Sequence, residues 1–176
     1  MLKPLRLALF EQKADALLSN ILVREAAPSD ELAILAIRNN PENYKWFFQN
    51  SVVTAEEHSS WFLKRMDESK FFTLVAENVG DVVGVAYLSD FKSGKPKVSI
   101  NIRPGLKSKG IGSALLTELV IRSKLENLDF LFAEIKSSNL RSIQFFSKNG
   151  FTLTNQDSCK QLTIETEVIR LVLNLH

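Results

Sequence analysis

The sequence predicts a single mixed α/β (α+β) domain, a mostly antiparallel sheet flanked by helices in the order β-α-α-β-β-β-α-β-α-β-β. A length of 176 residues with 45% hydrophobic residues is typical of one domain with a substantial core. Strand-like and helix-periodic runs follow one another without an internal repeat or a low-complexity linker. A glycine-containing loop lies where one strand gives way to a helix. We therefore expect a helical extension over residues 1–20 and one folding unit over residues 21–176.

The first half of the folding unit reads as a strand, two helices and a hairpin. Residues 21–26 form a short strand, and Pro28, Ser29 and Asp30 offer an N-cap for the helix ELAILAIRN. After an aromatic-rich loop over residues 41–53, the pair of Thr54 and Glu57 predicts a capping box for a second helix ending near residue 66. The runs FFTLVAEN and VVGVAYLSD, joined by a turn at residues 79–81, predict a hairpin.

The second half alternates strands and helices. An alternating strand over residues 97–104 leads through the glycine loop to a helix over residues 111–125. The run LDFLFAEIK is a buried strand, and a short helix follows over residues 139–148. The segments FTLTNQ and QLTIETEVIRLVLNL are expected to close the sheet as an antiparallel pair.

Composition excludes several classes of protein. Lysine plus arginine (22) nearly balance aspartate plus glutamate (20), and no basic stripe with interleaved aromatic residues is present, so we expect no nucleic-acid partner. No run approaches the roughly 18 to 20 apolar residues that span a bilayer, so we expect no membrane partner. Cys159 is the only cysteine, which excludes an internal disulfide and cysteine-rich zinc sites. The sequence therefore predicts a cytoplasmic protein with no metal cofactor.

The loop KSKGIGSALL, residues 107–116, suggests an anion site. It does not fit the P-loop, because Ile111 stands where that loop needs a lysine. It does not fit the dinucleotide fingerprint either, because Leu115 stands where a small residue is needed. A third possibility is a diphosphate clamp, in which backbone N–H groups of residues 108–113 and the start of the next helix hold the anion. The alternative is a glycine-containing turn before a core helix.

The segment INIRPGLKSKGIGSALL resembles the acyl-CoA signature of the GNAT superfamily of N-acyltransferases, Q/R-x-x-G-x-G/A. Lys107 falls on the Q/R position, and Gly110 and Gly112 fall on the small positions. Lys107 departs from the pattern, as does Ser108 where glycine is common, but a clamp of main-chain donors tolerates both. NLRSIQFFSKNGF resembles the second signature, N-x-x-S/A-x-x-F/Y-Y/F-x-K-x-G-F. The resemblance extends over residues 22–173.

The resemblance implies that acetyl-CoA is the co-substrate. In this fold the fourth and fifth strands diverge, and the pantetheine arm lies between them. The acetyl-CoA-binding residues that it implies are Asn101, Ile102, Arg103, Lys107, Ser108, Lys109, Gly110, Ile111, Gly112, Ser113, Asn139, Ser142, Phe145, Phe146 and Lys148.

Acyl transfer to an amine needs a neutral amine and a leaving thiolate that gains a proton. Glu134, on a mostly apolar strand beside the expected divergence, is one candidate general base, and a salt bridge with Lys136 or Arg141 is the alternative. His58 is the rival base. Many relatives carry a tyrosine as general acid where this chain has Phe146.

Without that tyrosine, the thiolate would be protonated by Tyr44, by Tyr87, by a water molecule or in bulk solvent. Because Cys159 lies outside the cleft motifs, we expect direct transfer in a ternary complex rather than an acyl-cysteine intermediate.

The acceptor amine is suggested by the segment over residues 36–66. It resembles acetyltransferases of bacterial amino-sugar (nonulosonic, pseudaminic-type) biosynthesis and, more distantly, enzymes that acetylate amino termini of ribosomal proteins. Small-molecule binding would then involve Arg38, Asn39, Tyr44, Trp61 and Tyr87, with Trp46 stacking beside them.

Other interpretations stay open. Trp61 is also typical of a helix core, and Arg38 of a helix C-terminus. A non-catalytic acyl-CoA-binding module is the alternative from another class. The apolar final strand could pair with a second copy at its edge, so a homodimer is possible.

Overall fold

A seven-stranded sheet organises the part of the chain that the computed structural model describes, residues 20–67, 72–90, 94–154 and 168–176. The strand order is β1-β2-β3-β4-β5-β7-β6, and every neighbouring pair is antiparallel except β4 and β5. The strands are β1 (Ile21–Glu25), β2 (Thr73–Asn78), β3 (Asp81–Ser89), β4 (Lys97–Ile102), β5 (Phe130–Lys136), β6 (Thr152–Leu153) and β7 (Val168–Asn174). The mixed, mostly antiparallel sheet that the sequence predicts is confirmed.

Helices cover both faces of this sheet. They are a 3-10 turn (Pro28–Asp30), α1 (Glu31–Arg38), α2 (Pro41–Tyr44), α3 (Ala55–Asp67), α4 (Ile111–Leu125) and α5 (Leu140–Lys148). The short helix α2 lies inside the segment that the sequence predicts as a loop, because Asn40 caps it by accepting from Glu42 N–H at 3.0 Å and Pro41 starts it.

Two hydrophobic clusters hold the three layers together. The larger cluster joins α4 and α5 to one face of the sheet, through residues such as Leu115 and Leu131. The smaller cluster joins α1 and α3 to the other face, through residues such as Ile34, Phe62 and Val85. On β5 the three residues Leu131, Ala133 and Ile135 are buried in the larger cluster, as their alternation predicts.

Local signals explain most element boundaries. The predicted capping box is confirmed, since Thr54 N–H donates to Glu57 Oε2 at 2.9 Å and Glu57 N–H donates to Thr54 Oγ1 at 3.2 Å. The hairpin turn uses only Val79 and Gly80, both at positive φ as a two-residue primed turn requires, and Asp81 already belongs to β3.

Asp30 is the N-cap residue of α1, one of the three that the sequence offered, but its side chain does not cap the helix. Its carboxylate accepts from Ala27 N–H at 2.7 Å and forms an ion pair with Arg24 at 2.6 Å. The Arg24 guanidinium is the main cause that lowers the pKa of Asp30. The carboxylate therefore joins β1 to the 3-10 turn, while the residue itself occupies the N-cap position of α1.

The final strand does not lie at the sheet edge. β7 lies between β5 and β6, with Leu171 opposite both Ala133 and Leu153. The predicted edge-to-edge route to a homodimer therefore loses its basis, because a strand with neighbours on both sides has fewer free backbone groups. A homodimer as such stays a prediction.

Some predictions lie outside the described residues. These are the helical extension before Asn20, Cys159, and the parts of the closing strands within residues 155–167. Within the described ranges, no helix is both long enough and apolar enough to cross a bilayer.

Candidate active site

A cleft opens where β4 and β5 separate. The two strands pair at only one position, Lys97 opposite Phe132, where Phe132 N–H donates to the Pro96 carbonyl at 2.9 Å. Beyond that point the strands diverge, as the resemblance implied. A cleft of about 420 Å³ lies beside this divergence, lined by the end of β4, the glycine loop, the start of α4, residues 139–148, Asn43 and Trp46. The backbone groups of β4 and β5 that face this gap lack strand partners, so they are available to the amides of an extended ligand.

Most of the predicted acetyl-CoA-binding residues line this cleft. They are Asn101, Ile102, Lys107, Ser108, Gly110, Gly112, Ser113, Asn139, Ser142, Phe145, Phe146 and Lys148. Three predicted residues do not line it. Ile111 is a core residue with 1% exposure, Arg103 donates to the Val82 carbonyl and pairs with Asp81, and Lys109 is not among the lining residues.

The glycine loop forms one end of the cleft. Gly105, Ser108 and Gly110 all have positive φ, and Gly110 is the N-cap of α4. Ala114 N–H donates to the Gly110 carbonyl, so the N–H groups before it begin the helix without intrahelical partners. The first turn of α4 carries no acidic residue. Free amides, a backbone concavity and the positive end of a helix dipole together favour a bound anion.

Cationic side chains surround the same loop. Lys107 Nζ donates to the Glu42 carbonyl at 3.1 Å, and Arg141 Nη2 donates to Ser108 Oγ at 2.9 Å. Burial lowers the pKa of Lys107, and the neighbouring charges of Arg141 and Lys45 lower it further. A diphosphate would supply the opposite charge that this group of cations favours.

The start of α5 lies on the opposite wall. Asn139 is its N-cap, with Oδ1 accepting from Ser142 N–H at 3.2 Å. Phe146 is buried and packs edge to face against Phe145 and Phe151. Because a phenylalanine has no hydroxyl, this wall offers no proton donor at the position where the resemblance implies a tyrosine.

A short segment around α2 bridges the two diverging strands. Asn43 Nδ2 donates to the Ile37 carbonyl at 2.8 Å and to the Ile102 carbonyl at 3.1 Å, and Lys136 Nζ donates to the Lys45 carbonyl at 3.1 Å. The segment is thereby held to the ends of both β4 and β5, and it places Trp46 on the cleft wall.

Six lining residues were missed in the predicted site. They are Asn43, Trp46, Ile100, Leu106, Arg141 and Gln144, of which the sequence had suggested only Trp46 as a stacking residue. Arg141 and Gln144 lie within the second signature segment, which could have pointed to them. Asn43 gives no local signal, because its partner carbonyl belongs to Ile102, 59 residues away.

Glu134 is the centre of a charged cluster beside the divergence. Its Oε2 pairs with Lys97 at 2.6 Å, and its Oε1 accepts from Arg170 at 2.8 Å. The side chain is 16% exposed. The predicted alternative partners were wrong, because Lys136 reaches the Lys45 carbonyl and Arg141 reaches Ser108.

His58 lies away from the residues that line the cleft. It is 3% exposed, stacks against Phe62 at 6.1 Å and contacts Trp61 at 5.3 Å between ring centroids. Its Nε2 is 3.2 Å from the Glu31 carbonyl, an arrangement that assigns the proton to Nε2. Burial lowers the pKa of His58.

The predicted acceptor-binding residues have partners within the protein. Arg38 donates to the carbonyls of Gln49 and Ser51 and lies 4.0 Å from the Phe47 ring centroid. Asn39 donates to the Val53 carbonyl and accepts from Val53 N–H.

The aromatic candidates are divided between two places. Trp61 packs edge to face against Tyr87 on the α3 side of the sheet, whereas Tyr44 ends α2. None of Arg38, Asn39, Tyr44, Trp61 and Tyr87 is among the cleft-lining residues, so their contact with an acceptor stays a prediction.

A glycine loop at a helix N-terminus, opening onto a cleft between diverging parallel strands, defines the class of acyl-CoA-dependent acyltransferases. The family model described as "Acetyltransferase (GNAT) domain" matches residues 23–160, and the chain belongs to this family. It is an acetyl-CoA-dependent N-acetyltransferase of the GNAT type.

Two relatives are named as acetyltransferases or acyltransferases that act on amino acids or their analogues. The chain is 27% identical over 140 residues to the L-methionine sulfoximine/L-methionine sulfone acetyltransferase of Pseudomonas aeruginosa, covering 76% of the chain and 81% of the relative. It is 29% identical, over the same shares, to the L-amino acid N-acyltransferase MnaT of Escherichia coli. The predicted nearness to amino-sugar acetyltransferases is therefore not supported.

A solved structure shows a similar fold. The ribosomal-protein-alanine N-acetyltransferase of Brucella melitensis has a TM-score of 0.75 and 25% identity, over 87% of this chain and 99% of that chain.

Proposed function

We propose that this acetyltransferase acts on the primary amine of a small, amino-acid-like molecule, by direct transfer in a ternary complex. The observation that carries the proposal is the cleft between β4 and β5 with the glycine loop at its end. The names of relatives that match three quarters of the chain support an amino-acid acceptor. The segment around α2, fixed to both diverging strands, restricts the space near β4 and β5 and favours a small acceptor over a folded protein.

An amino-acid acceptor brings a carboxylate, and we propose Arg38 as the group that receives it. Arg38 ends α1, next to Ile37, whose carbonyl is bound by the cleft residue Asn43. Burial lowers the pKa of Arg38, and among the described residues its hydrogen bonds go only to backbone carbonyls. The guanidinium is therefore half-buried, and its N–H donors can bind an acceptor carboxylate in place of these two carbonyls.

Glu134 is our proposed general base. The amine must lose a proton before it attacks, at a cost of about 1.4 kcal/mol per pKa unit above the working pH, so the demand on a base is modest. Glu134 lies on β5 two residues beyond Phe132, the position at which the backbones of β4 and β5 pair. His58 is the second candidate, and neither Glu134 nor His58 is among the cleft-lining residues. His58 is in addition buried against Trp61 and Phe62, whereas Glu134 lies beside the divergence of β4 and β5.

The step balances without a protein acid. The amine nitrogen bonds to the thioester carbonyl carbon, the carbon–sulfur bond breaks, and the amine proton passes to the base. The thiolate takes a proton from water, because Phe146 has none to give, and the protonated base returns its proton to the hydroxide that remains. A thiol with a pKa of about 8.5 needs little help. That this occurs in the cytoplasm stays a prediction.

Two other acceptors have a specific observation in their favour. Trp46 on the cleft wall offers an aromatic face on which an amino sugar could stack. The Brucella melitensis structure, named for ribosomal-protein alanine, favours a protein amino terminus. Phe146 also gives some support to a binding module without catalysis.

An acceptor panel tests the proposal. The full chain with acetyl-CoA would be given L-methionine sulfoximine and other L-amino acids, amino sugars, or a peptide with an amino-terminal alanine, and free thiol would be followed with a chromogenic reagent. We expect kcat/KM for the amino acids to exceed that for the other classes at least about tenfold. Turnover confined to sugars or to the peptide would overturn the amino-acid acceptor. Coenzyme A binding without thiol release in any arm would favour the non-catalytic module.

A further inference from the structure

Arg141 and Ser108 connect the two walls of the cleft. Arg141 is in the first turn of α5, and its Nη2 donates to the hydroxyl of Ser108 in the glycine loop at 2.9 Å. Both residues line the cleft, and 33 positions separate them in the sequence. The hydrogen bond therefore fixes a guanidinium beside the loop that begins α4.

Each side of this contact is locally unfavourable. Ser108 has a φ of 64°, in the left-handed region where a residue with a β-carbon is strained. Arg141 is a cation in the first turn of a nine-residue helix, where the positive end of the helix dipole disfavours it. Lys107 adds a second cation nearby. Local rules broken together at one place are typical of a functional site.

An anion would offset all of these effects at once. Within the described residues, Arg141 has no carboxylate partner, and its one recorded hydrogen bond is to Ser108. Besides burial, the charge of Arg141 is a cause that lowers the pKa of Lys107, as expected for two cations that share a site without their ligand. A doubly charged diphosphate between them would remove this repulsion and match the planar guanidinium.

We infer that Arg141 binds the diphosphate of acetyl-CoA and that Ser108 is the positioning residue that holds its guanidinium toward the loop amides. The inference rests on the proposed function, because it assigns a ligand group to the same cleft. The diphosphate is favoured over the 3′-phosphate because Ser108 lies in the glycine loop two residues before Gly110, the N-cap of α4, whose free N–H groups favour an anion.

Three variants test this assignment: S108G, R141Q and the double variant. Ser108→Gly removes the hydroxyl and also the left-handed strain, so its free energy of unfolding in urea should be unchanged or higher. The Kd of S108G for coenzyme A should nevertheless rise about threefold. The Kd of R141Q should rise about tenfold, because this variant loses a charge-assisted hydrogen bond to the ligand. The double variant should bind no more weakly than R141Q alone, because Ser108 acts through Arg141.

Lys124→Gln is the matched control for net charge. Lys124 is exposed in the last turn of α4, roughly 20 Å along the helix from the glycine loop. The K124Q variant should therefore bind coenzyme A with the same Kd as the unmodified chain. In S108G, R141Q and the double variant, KM for acetyl-CoA should rise while kcat at saturating acetyl-CoA stays unchanged, which a loss of overall folding would not produce. In K124Q neither constant should change.

Ligand fragments locate the contact. The R141Q penalty should be the same for coenzyme A and for dephospho-coenzyme A, which lacks only the 3′-phosphate, and absent for pantetheine. A penalty seen only with coenzyme A would overturn the diphosphate assignment, as would equal Kd values for R141Q and the unmodified chain. If the unmodified chain bound no coenzyme A, the proposed function itself would fail.

Discussion

Lys97 and Glu134 form an ion pair of 2.6 Å at the point where β4 and β5 stop pairing. Arg170, directly opposite Glu134 on β7, donates to the other carboxylate oxygen at 2.8 Å. One carboxylate thus connects β4, β5 and β7 beside the divergence of β4 and β5. The same group is our proposed base, so its two roles need to be separated by experiment.

Glu134→Gln should lower kcat about a hundredfold with little change in KM for acetyl-CoA. The reason is that glutamine cannot accept the amine proton, and general-base contributions begin at about this size. The free energy of unfolding should also fall by about 1 kcal/mol, since both ion pairs are partly exposed. Steady-state kinetics and urea unfolding would measure the two effects.

Lys97→Met provides the matched control for the ion pair. It removes one partner but keeps the carboxylate, so it should lower stability by a similar amount and leave kcat within a fewfold of the unmodified chain. If E134Q and K97M lost stability alike and both kept full turnover, the carboxylate would be only a connection between strands.

Gly84 on β3 determines how closely α4 approaches the sheet. A β-carbon there would lie 2.9 Å from Ile102 Cδ1, 3.1 Å from Leu115 Cδ1 and 3.2 Å from Ile111 Cγ2. Gly84→Ala should therefore lower the free energy of unfolding by about 1–3 kcal/mol, as overpacked cores do. Urea unfolding would measure the loss.

The same substitution should also weaken coenzyme A binding, because Ile102 ends β4 on the cleft wall. Ala86→Gly on the same strand is a useful comparison, since it creates space instead of removing it. Equal stability of G84A and the unmodified chain would show that the three side-chain ends move aside without cost.

Sequence patterns predicted the elements of this fold well where the signal is local. The apolar run LDFLFAEIK marked a buried strand, and Thr54 with Glu57 marked a helix start. The order of strands at the far edge was not predicted. β7 inserts between β5 and β6, and no local pattern reports such a non-local pairing.

The candidate site shows the same division. The glycine loop was found because its spacing is contained in a few residues. Asn43 was missed because its role depends on hydrogen bonds to carbonyls of α1 and β4. The partners of Glu134 were misassigned because Lys97 and Arg170 become its neighbours only in the folded sheet.

Gly112→Ala should impair ligand binding more than folding. Alanine gains about 1 kcal/mol over glycine within a helix, but its β-carbon would lie 3.3 Å from Phe145 Cε2, tighter than most contacts. The helix preference of alanine raises the free energy of unfolding, and the close contact with Phe145 lowers it. Because Phe145 lines the cleft, its shift should raise KM for acetyl-CoA several-fold.

Thr117→Ala is the control for G112A, as an exposed change on the same helix. It should leave KM unaltered. A lower KM in G112A would mean that the ring moves out of the cleft, contrary to the expected direction.

His58 should make stability depend on pH near neutrality. Burial lowers the pKa of His58 below its ordinary value of 6.5, so between the folded pKa and 6.5 the unfolded chain holds a proton that the folded chain lacks. The free energy of unfolding therefore has its highest value above pH 6.5. It falls as the pH drops below 6.5, by at most about 1.4 kcal/mol per pH unit. Urea midpoints at pH 7.5 and pH 5.5 would measure the fall.

Removing this imidazole should flatten that profile. His58→Phe keeps an aromatic ring against Trp61 and Phe62 and loses the Nε2 contact with the Glu31 carbonyl, so it should be less stable at pH 7.5 but lose less on acidification. The chain's other histidine, His176, is exposed beside Asp129, and His176→Gln is the control for the loss of one imidazole. An undiminished acid-induced loss in H58F would assign the titration to a group other than His58, because the buried ring would then have no part in the proton linkage.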